Sequence, residues 1–265
     1  MIRSIAHPTD LSAESVPAFE HALRLALLNR CEFLVVHARE PGEATHWDSF
    51  PRVRETMARW GFVDPDTDRR DVLPRTGVSV QKVEIGAHDV VNGLAEFLHS
   101  QTTDLLVMAS QGRAGLNALF NASMSAKLAH VSMLSTLIFG PRARSFVDPE
   151  TGSHEAIKTV LVAVDHDPPA HAALLRLDAL AEGLNVKFDY IHVGSDAPVL
   201  VGNKGPRHVR MLRGPVVETL LAEAENADLV AMPMVGRRSL LDALRGSTTE
   251  RVIREATRPV LAVPT

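Results

Sequence analysis

The segment "MPMVGRRSLLDALRGSTTERVIREATRPVLAVPT", residues 232–265, decides the fold. A short apolar run leads to Gly236, Gly246-Ser247-Thr248 opens an amphipathic stretch ten residues later, and "PVLAVP" follows before the chain end. Apolar runs punctuated by glycine, with helical spacing between them, predict strand, loop, helix and strand in that order. Residues 108–141, "MASQGRAGLNALFNASMSAKLAHVSMLSTLIFGP", have the same layout.

Working outward from these two segments, the whole chain resolves into a repeat. At an offset of 124, Asp104 falls on Asp228, Met108 on Met232, Gly112-Arg113 on Gly236-Arg237, Ser123 on Ser247 and Leu137 on Leu261. Nearer the amino ends the offset is 155: Asp10 falls on Asp165, Phe33 on Phe188 and His37 on His192. The two ungapped registers differ by 31 residues, so the first copy carries an insert of that size within 41–77. A period above 100 residues means duplicated domains rather than a solenoid. The expected division is a first domain over 1–143, a linker over 144–155 and a second domain over 156–265. The linker is rich in Pro, Gly, Ser and charge, as domain boundaries are. The polar insert is expected to be a mobile surface loop, with a lid or a partner contact as the alternative.

Within each copy, apolar strands alternate with helical segments. "SIAHPTD", "EFLVVHA", "VSVQKVEI", "DLLVMAS" and "STLIFG" are the strands of the first copy; "TVLVAVD", "KFDYIHV", "RHVRML", "DLVAMP" and "PVLAVP" are those of the second. Ser12 stands where an N-cap would open the first helix. Strands that are apolar on both faces and separated by helices predict a parallel sheet covered on both sides. With right-handed crossovers, the fold class is α/β: two tandem doubly wound five-stranded parallel-sheet domains.

Bulk properties narrow the class. The chain has 265 residues, 45% hydrophobic and 23% charged, with a net charge of -4. That balance gives no electrostatic reason to bind nucleic acid or an anionic membrane. No apolar run approaches the roughly 20 residues of a membrane span, and the N-terminus lacks the h-region of a signal peptide. A single cysteine, Cys31, excludes an intrachain disulfide and suits a reducing compartment. The expected location is cytoplasmic.

In open α/β sheets, ligands bind beyond the carboxyl ends of the strands, where the winding reverses. That rule points to Asp10 and Asp165 after the first strands and to Gly112 and Gly236 after the fourth. A glycine loop leading into a helix N-terminus suits phosphate, and Gly246, Ser247 and Thr248 add backbone donors and two hydroxyls. Arg237 and Arg238 stand where they would meet a triphosphate, although an exposed Arg pair is more often a solvated loop. The bland readings are that Asp10 and Asp165 cap helices, that Gly246 only permits close packing, and that His37 and His192 are satisfied structural histidines. "DHDPPAH" (165–171) gathers metal-ligating residue types, but its Pro-Pro step prevents a helical His pair, so no metal site is expected. The chain contains no Gly-x4-Gly-Lys-Ser/Thr, Gly-x-Ser-x-Gly or His-Glu-x-x-His, and no catalytic residues are assigned.

Each copy resembles a universal stress protein domain, most specifically in "DLLVMASQGRAGL" and "GRRSLLDALRGSTTERVIREATRPVLAVP". The resemblance implies an adenine-nucleotide-hydrolase-like sheet of order 3-2-1-4-5, pairing through the final strand, and ATP or AMP as ligand, with Mg²⁺ as its companion. The family signature Gly-x2-Gly-x9-Gly-Ser/Thr maps onto Pro233, Gly236, Gly246 and Ser247 in the second copy. In the first copy it maps onto Ala109, Gly112, Ala122 and Ser123. The family's aspartate corresponds to Asp165 and Asp10, and its adenine-edge backbone contacts to Val193 and Ala38. Proline at 233 donates no hydrogen bond, and two alanines in the first copy strain or crowd a glycine cradle. The second copy is therefore expected to be the nucleotide site, through Asp165, Val193, Pro233, Gly236, Arg237, Gly246, Ser247 and Thr248. Asp10, Ala38, Gly112 and Ser123 mark the weaker equivalent.

The implied function is a stress-response module that binds ATP or AMP in the second repeat. One alternative is a ligand-free interaction protein with both sites degenerate; another is a slow ATP hydrolase. The apolar closing strands "STLIFG" and "PVLAVP" would be exposed edges unless paired. Pairing them makes an intramolecular pseudo-dimer, to which a homodimer and an unidentified protein partner remain additions.

Overall fold

The structure is a computed structural model describing residues 2–39, 42, 45, 47–110, 122–166, 170–202, 205–234 and 248–265. The first half runs β1 (Ser4–Thr9), α1 (Val16–Asn29), β2 (Glu32–Arg39), α2 (Val53–Arg59), α3 (Arg69–Thr76), β3 (Ser79–Gly86), α4 (Val90–Ser100), β4 (Leu105–Ala109), α5 (Ala122–Ser132) and β5 (Ser135–Phe139). The second runs β6 (Thr159–Ala163), α6 (His171–Leu180), β7 (Lys187–Val193), the small hairpin β8 (Val201–Gly202) and β9 (Gly205–Pro206), β10 (Val209–Leu212), α7 (Val216–Ala224), β11 (Leu229–Met234), α8 (Thr248–Glu255) and β12 (Val260–Pro264).

All strands but the hairpin join one sheet of order β10-β7-β6-β11-β12-β5-β4-β1-β2-β3. Each half has parallel pairing in the order 3-2-1-4-5, and the halves meet where β5 and β12 pair antiparallel, with Leu137 opposite Leu261. The strand sequences explain the burial. All six residues of β1 and all five of β4, β5 and β12 are buried, as expected for strands covered on both faces. Alternate residues serve opposite cores. Ile5 and Leu137 face the side carrying α1 and α6, whereas Ala6 and Ile138 face the side carrying α4, α5, α7 and α8.

The repeat is visible in its contacts. Asp104 accepts from the amides of Arg3 and Ser4 at 2.7 and 3.3 Å. Asp228 accepts from those of Lys158 and Thr159 at 2.8 and 2.9 Å. A carboxylate thus ties the start of the first strand to the start of the fourth in both halves.

Two local expectations are corrected. Ser12 does not cap a helix: its hydroxyl donates to Asp10 Oδ1 at 2.6 Å, and a 3-10 turn at Ala13–Ser15 leads into α1. The insert is not a loose loop either. It forms α2 and α3, and Phe50, Val53, Met57, Trp60, Val63 and Val72 enter the core on the α1 side. Their apolar spacing is sufficient to bury a face against α1, where Arg59 also pairs with the buried Glu20 at 2.9 Å. The segment after β5 is likewise ordered. The amide of Phe146 donates to His21 Nε2 at 3.0 Å, and Trp60 Nε1 donates to the Pro149 carbonyl at 2.9 Å. Gly152 turns there at φ +64°, where an added Cβ would meet the Trp60 ring at 2.5 Å.

Candidate functional site

The carboxyl ends of the central strands differ between the halves. In the first, Asp10 is buried, and its Oδ1 accepts from the amide and hydroxyl of Ser12 at 3.1 and 2.6 Å. Thr9 and Ser15 share a hydroxyl–hydroxyl bond of 2.8 Å behind it, and Leu11 sits at φ +61°. The loop after β1 is closed by its own hydrogen bonds. Ala38, one residue before the end of β2, is fully buried. The indole of Trp47 stands edge-on to the His37 ring, centroids 5.9 Å apart, and donates to Glu84 at 3.3 Å. The Lys82 ammonium covers the indole face at 4.9 Å. An aromatic from the insert therefore stands over the ends of β2 and β3.

In the second half, Asp165 leaves 68% of its side chain exposed, and its Oδ1 accepts from the amide of His166 at 2.7 Å. His192 Nδ1 donates to the Val164 carbonyl at 3.0 Å and lies 3.7 Å from Asp165 Oδ1. This repeats the bond from His37 Nδ1 to the Thr9 carbonyl, 2.8 Å, in the first half. Both histidines thus stitch the second strand to the end of the first, which is the structural role weighed for them. The His166 ring stands edge-on to His192 at 5.3 Å. Val193 ends β7, half-buried beside Leu212 of β10. Ala231 of β11 pairs with Val162 of β6, so Pro233 and Asp165 lie at the same end of neighbouring strands. Thr248 opens α8 and is exposed.

Asp165, Val193 and Pro233 are therefore brought to one edge of the second half, as Asp10 and Ala38 are in the first. Gly112, Gly236, Arg237, Arg238, Gly246 and Ser247 lie outside the described residues, as does the side chain of Ser123. As a nucleotide fit, the open carboxylate of Asp165 suits the hydroxyl pair of a ribose, because ionised carboxylates accept several hydrogen bonds. Pro233 removes one amide donor from the same edge. Among the described residues no group of three or more His, Cys, Asp or Glu is placed to hold a metal.

Two residues escaped the sequence reading. Trp47 carried a signal, being an aromatic in the polar run just after β2. His7 interrupts an apolar strand where the second copy has Val162. It is fully buried between Phe19 and Phe50, and burial pushes its pKa down to about 4 against the help of the Val107 carbonyl that Nδ1 faces at 2.9 Å. Its Nε2 has no hydrogen-bond partner among the described residues.

Two halves of strand order 3-2-1-4-5, each with an aspartate just after its first strand, define a doubly wound α/β class, in which the carboxyl ends of the strands are the usual place for a ligand. Within that class, the model of the universal stress protein family matches residues 1–139 and 200–264, and the chain belongs to this family. The interval left out carries the segment between β5 and β6 together with β6, α6 and β7. A universal stress protein of Mycolicibacterium smegmatis (strain ATCC 700084 / mc(2)155) is 26% identical over 288 residues, spanning 96% of this chain and 94% of its own. A universal stress protein of Archaeoglobus fulgidus DSM 4304 superposes with a TM-score of 0.61 at 19% identity, over 98% of this chain and 96% of that one. A protein of unknown function from Pseudomonas aeruginosa PAO1 gives 0.60 at 13% identity, over 99% and 92%. No helix among the described residues is long and apolar enough to cross a membrane.

Proposed function

We propose that this universal stress protein is a nucleotide-responsive module that takes ATP or AMP at the carboxyl edge of its second half. The observation that carries the reading is the contrast between the two aspartates. Asp165 is open to solvent, whereas Asp10 is buried and engaged by Ser12. In this reading Asp165 accepts from the ribose hydroxyls and Val193 borders the adenine. Gly236, Arg237, Gly246, Ser247 and Thr248 receive the phosphates, with Mg²⁺ as their counter-charge. The domains at 1–143 and 156–265 act as an intramolecular pseudo-dimer, supported by the antiparallel β5–β12 pair. The first half, with Trp47 across its strand ends, serves as the structural partner.

Equilibrium dialysis of the nucleotide-stripped protein against labelled ATP and AMP tests this. The reading requires one nucleotide per chain, lost in Asp165→Ala and retained in Asp10→Ala. Absence of binding would favour the ligand-free interaction protein, which Pro233 already supports by removing a donor.

A further inference from the structure

The insert of the first half does more than cover the core. With β3 it encloses a pocket of about 510 Å³ between α2 and α3, within the roughly 300–1,000 Å³ of small-molecule sites. The second half lacks the insert and so has no counterpart, and none of the residues lining the pocket is among those assigned to the nucleotide. Its floor is apolar, with Val53, Val72 and Val78 buried. Its walls are basic: Arg52, Arg54, Arg69, Arg70 and Lys82.

The carboxylates nearby do not balance these cations. Asp48 and Glu55 line the pocket too, and both pair with Arg52, at 3.8 and 3.0 Å. Asp68 holds Arg70 at 3.2 Å. Arg54 donates to the Thr67 carbonyl at 3.1 Å, an uncharged partner. Among the described residues Arg69 has no hydrogen bond or ion pair, and the Lys82 ammonium meets the Trp47 indole face at 4.9 Å with no carboxylate on it. The other carboxylates of α3 and the turn before it, Asp64, Asp66 and Asp71, act on Arg75. Five cations thus stand against three carboxylates, Asp68 included, a surplus of two. Lys82 feels that surplus. Partial burial lowers its pKa, and Arg52 and Arg69 lower it further, ahead of the opposing Glu55 and Asp48. An anion between Lys82 and Arg69 would relieve this repulsion. A phosphate group carries about -1.5 to -2 at neutral pH and three acceptor oxygens, which matches the surplus and the donors of a guanidinium and an ammonium. A carboxylate would meet half of that charge, and a triphosphate would exceed it.

We infer that the insert pocket binds a phosphate dianion between Arg69 and Lys82, with room over Val53, Val72 and Val80 for the organic part of a small phosphate monoester. The test is a phosphorus NMR titration of the full chain with phenyl phosphate and with inorganic phosphate. One saturable site per chain is expected. Tighter binding of phenyl phosphate assigns the site to a monoester, and equal affinity assigns it to free phosphate. Arg69→Ala with Lys82→Ala, both at exposed positions, should weaken both ligands about tenfold or more while the melting curve is kept. Arg69→Ala alone should already weaken them about threefold. Lys158→Ala with Lys187→Ala, which removes the same charge elsewhere, should leave both affinities unchanged, as should Gly246→Val. No saturable binding of either ligand overturns the inference. So does undiminished binding in the folded Arg69 and Lys82 variants, or an equal loss in the Lys158 and Lys187 variant. Loss of binding in Gly246→Val would overturn it too, by moving the anion to the carboxyl edge of the second half.

Discussion

Asp10 and Asp165 close equivalent strands of the two halves, yet Asp10 is buried against Ser12 while Asp165 leaves 68% of its side chain in water. The same residue type at the same repeat position is thus structural in one half and available in the other. Asp10→Ala removes an acceptor of two hydrogen bonds, one from an amide, and should destabilise the protein by about 1–2 kcal/mol without changing nucleotide affinity. Asp165→Ala should leave the melting temperature unchanged and weaken ATP about tenfold or more, since a hydrogen bond to a charged group is at stake. Thermal melts and ATP titrations of the two variants check both halves of the statement.

The insert offers a test of its structural role. Met57 is fully buried in the core that also holds α1. Met57→Ala should cost about 2–5 kcal/mol, the range for large-to-small changes at packed sites. A mobile loop would show no measurable loss in a denaturant titration.

Stability should fall with acid before the carboxylates titrate. Burial pushes both His7 and His21 from 6.5 down to about 4. The unfolded chain therefore takes up protons between pH 6.5 and 4 that the folded chain refuses, so stability is full above pH 6.5 and declines as pH falls through that window. The upper figure is roughly 3 kcal/mol for each histidine. Glu20, whose pKa burial raises, works the other way and softens the decline. Melting curves from pH 7 to pH 4 should show the loss, and His21→Gln should reduce it; a flat profile contradicts the assignment.

The junction of the halves is also sensitive to volume. Gly140 follows β5, and an added Cβ would lie 2.0 Å from the Ile253 carbonyl oxygen of α8. Because that neighbour is backbone, Gly140→Ala should cost about 1–3 kcal/mol through overpacking. Unchanged unfolding by urea would contradict this close approach.

Much of this was legible from one chain. The strands and their order of appearance follow from unbroken apolar runs, because a sheet buried on both faces tolerates little else. The duplication fixed which residues correspond, and the twin contacts of Asp104 and Asp228 bear that alignment out. The insert was misread because its apolar residues are scattered through polar sequence, and only the docking of α2 on α1 shows that Met57 and Trp60 share a buried face. Ser12 was misread because a hydroxyl beside a helix start looks like a cap, whereas the nearby Asp10 is the stronger acceptor. The inequality of Asp10 and Asp165 was invisible in sequence, since burial depends on what neighbouring loops cover.

The most direct test of the central claim is calorimetric titration of the nucleotide-stripped protein with ATP and Mg²⁺, alongside folded Asp165→Ala and Gly246→Val variants. One site per chain in the parent, lost in both variants, is the predicted result. No heat in the parent, or binding that survives both substitutions, would contradict a nucleotide site in the second half.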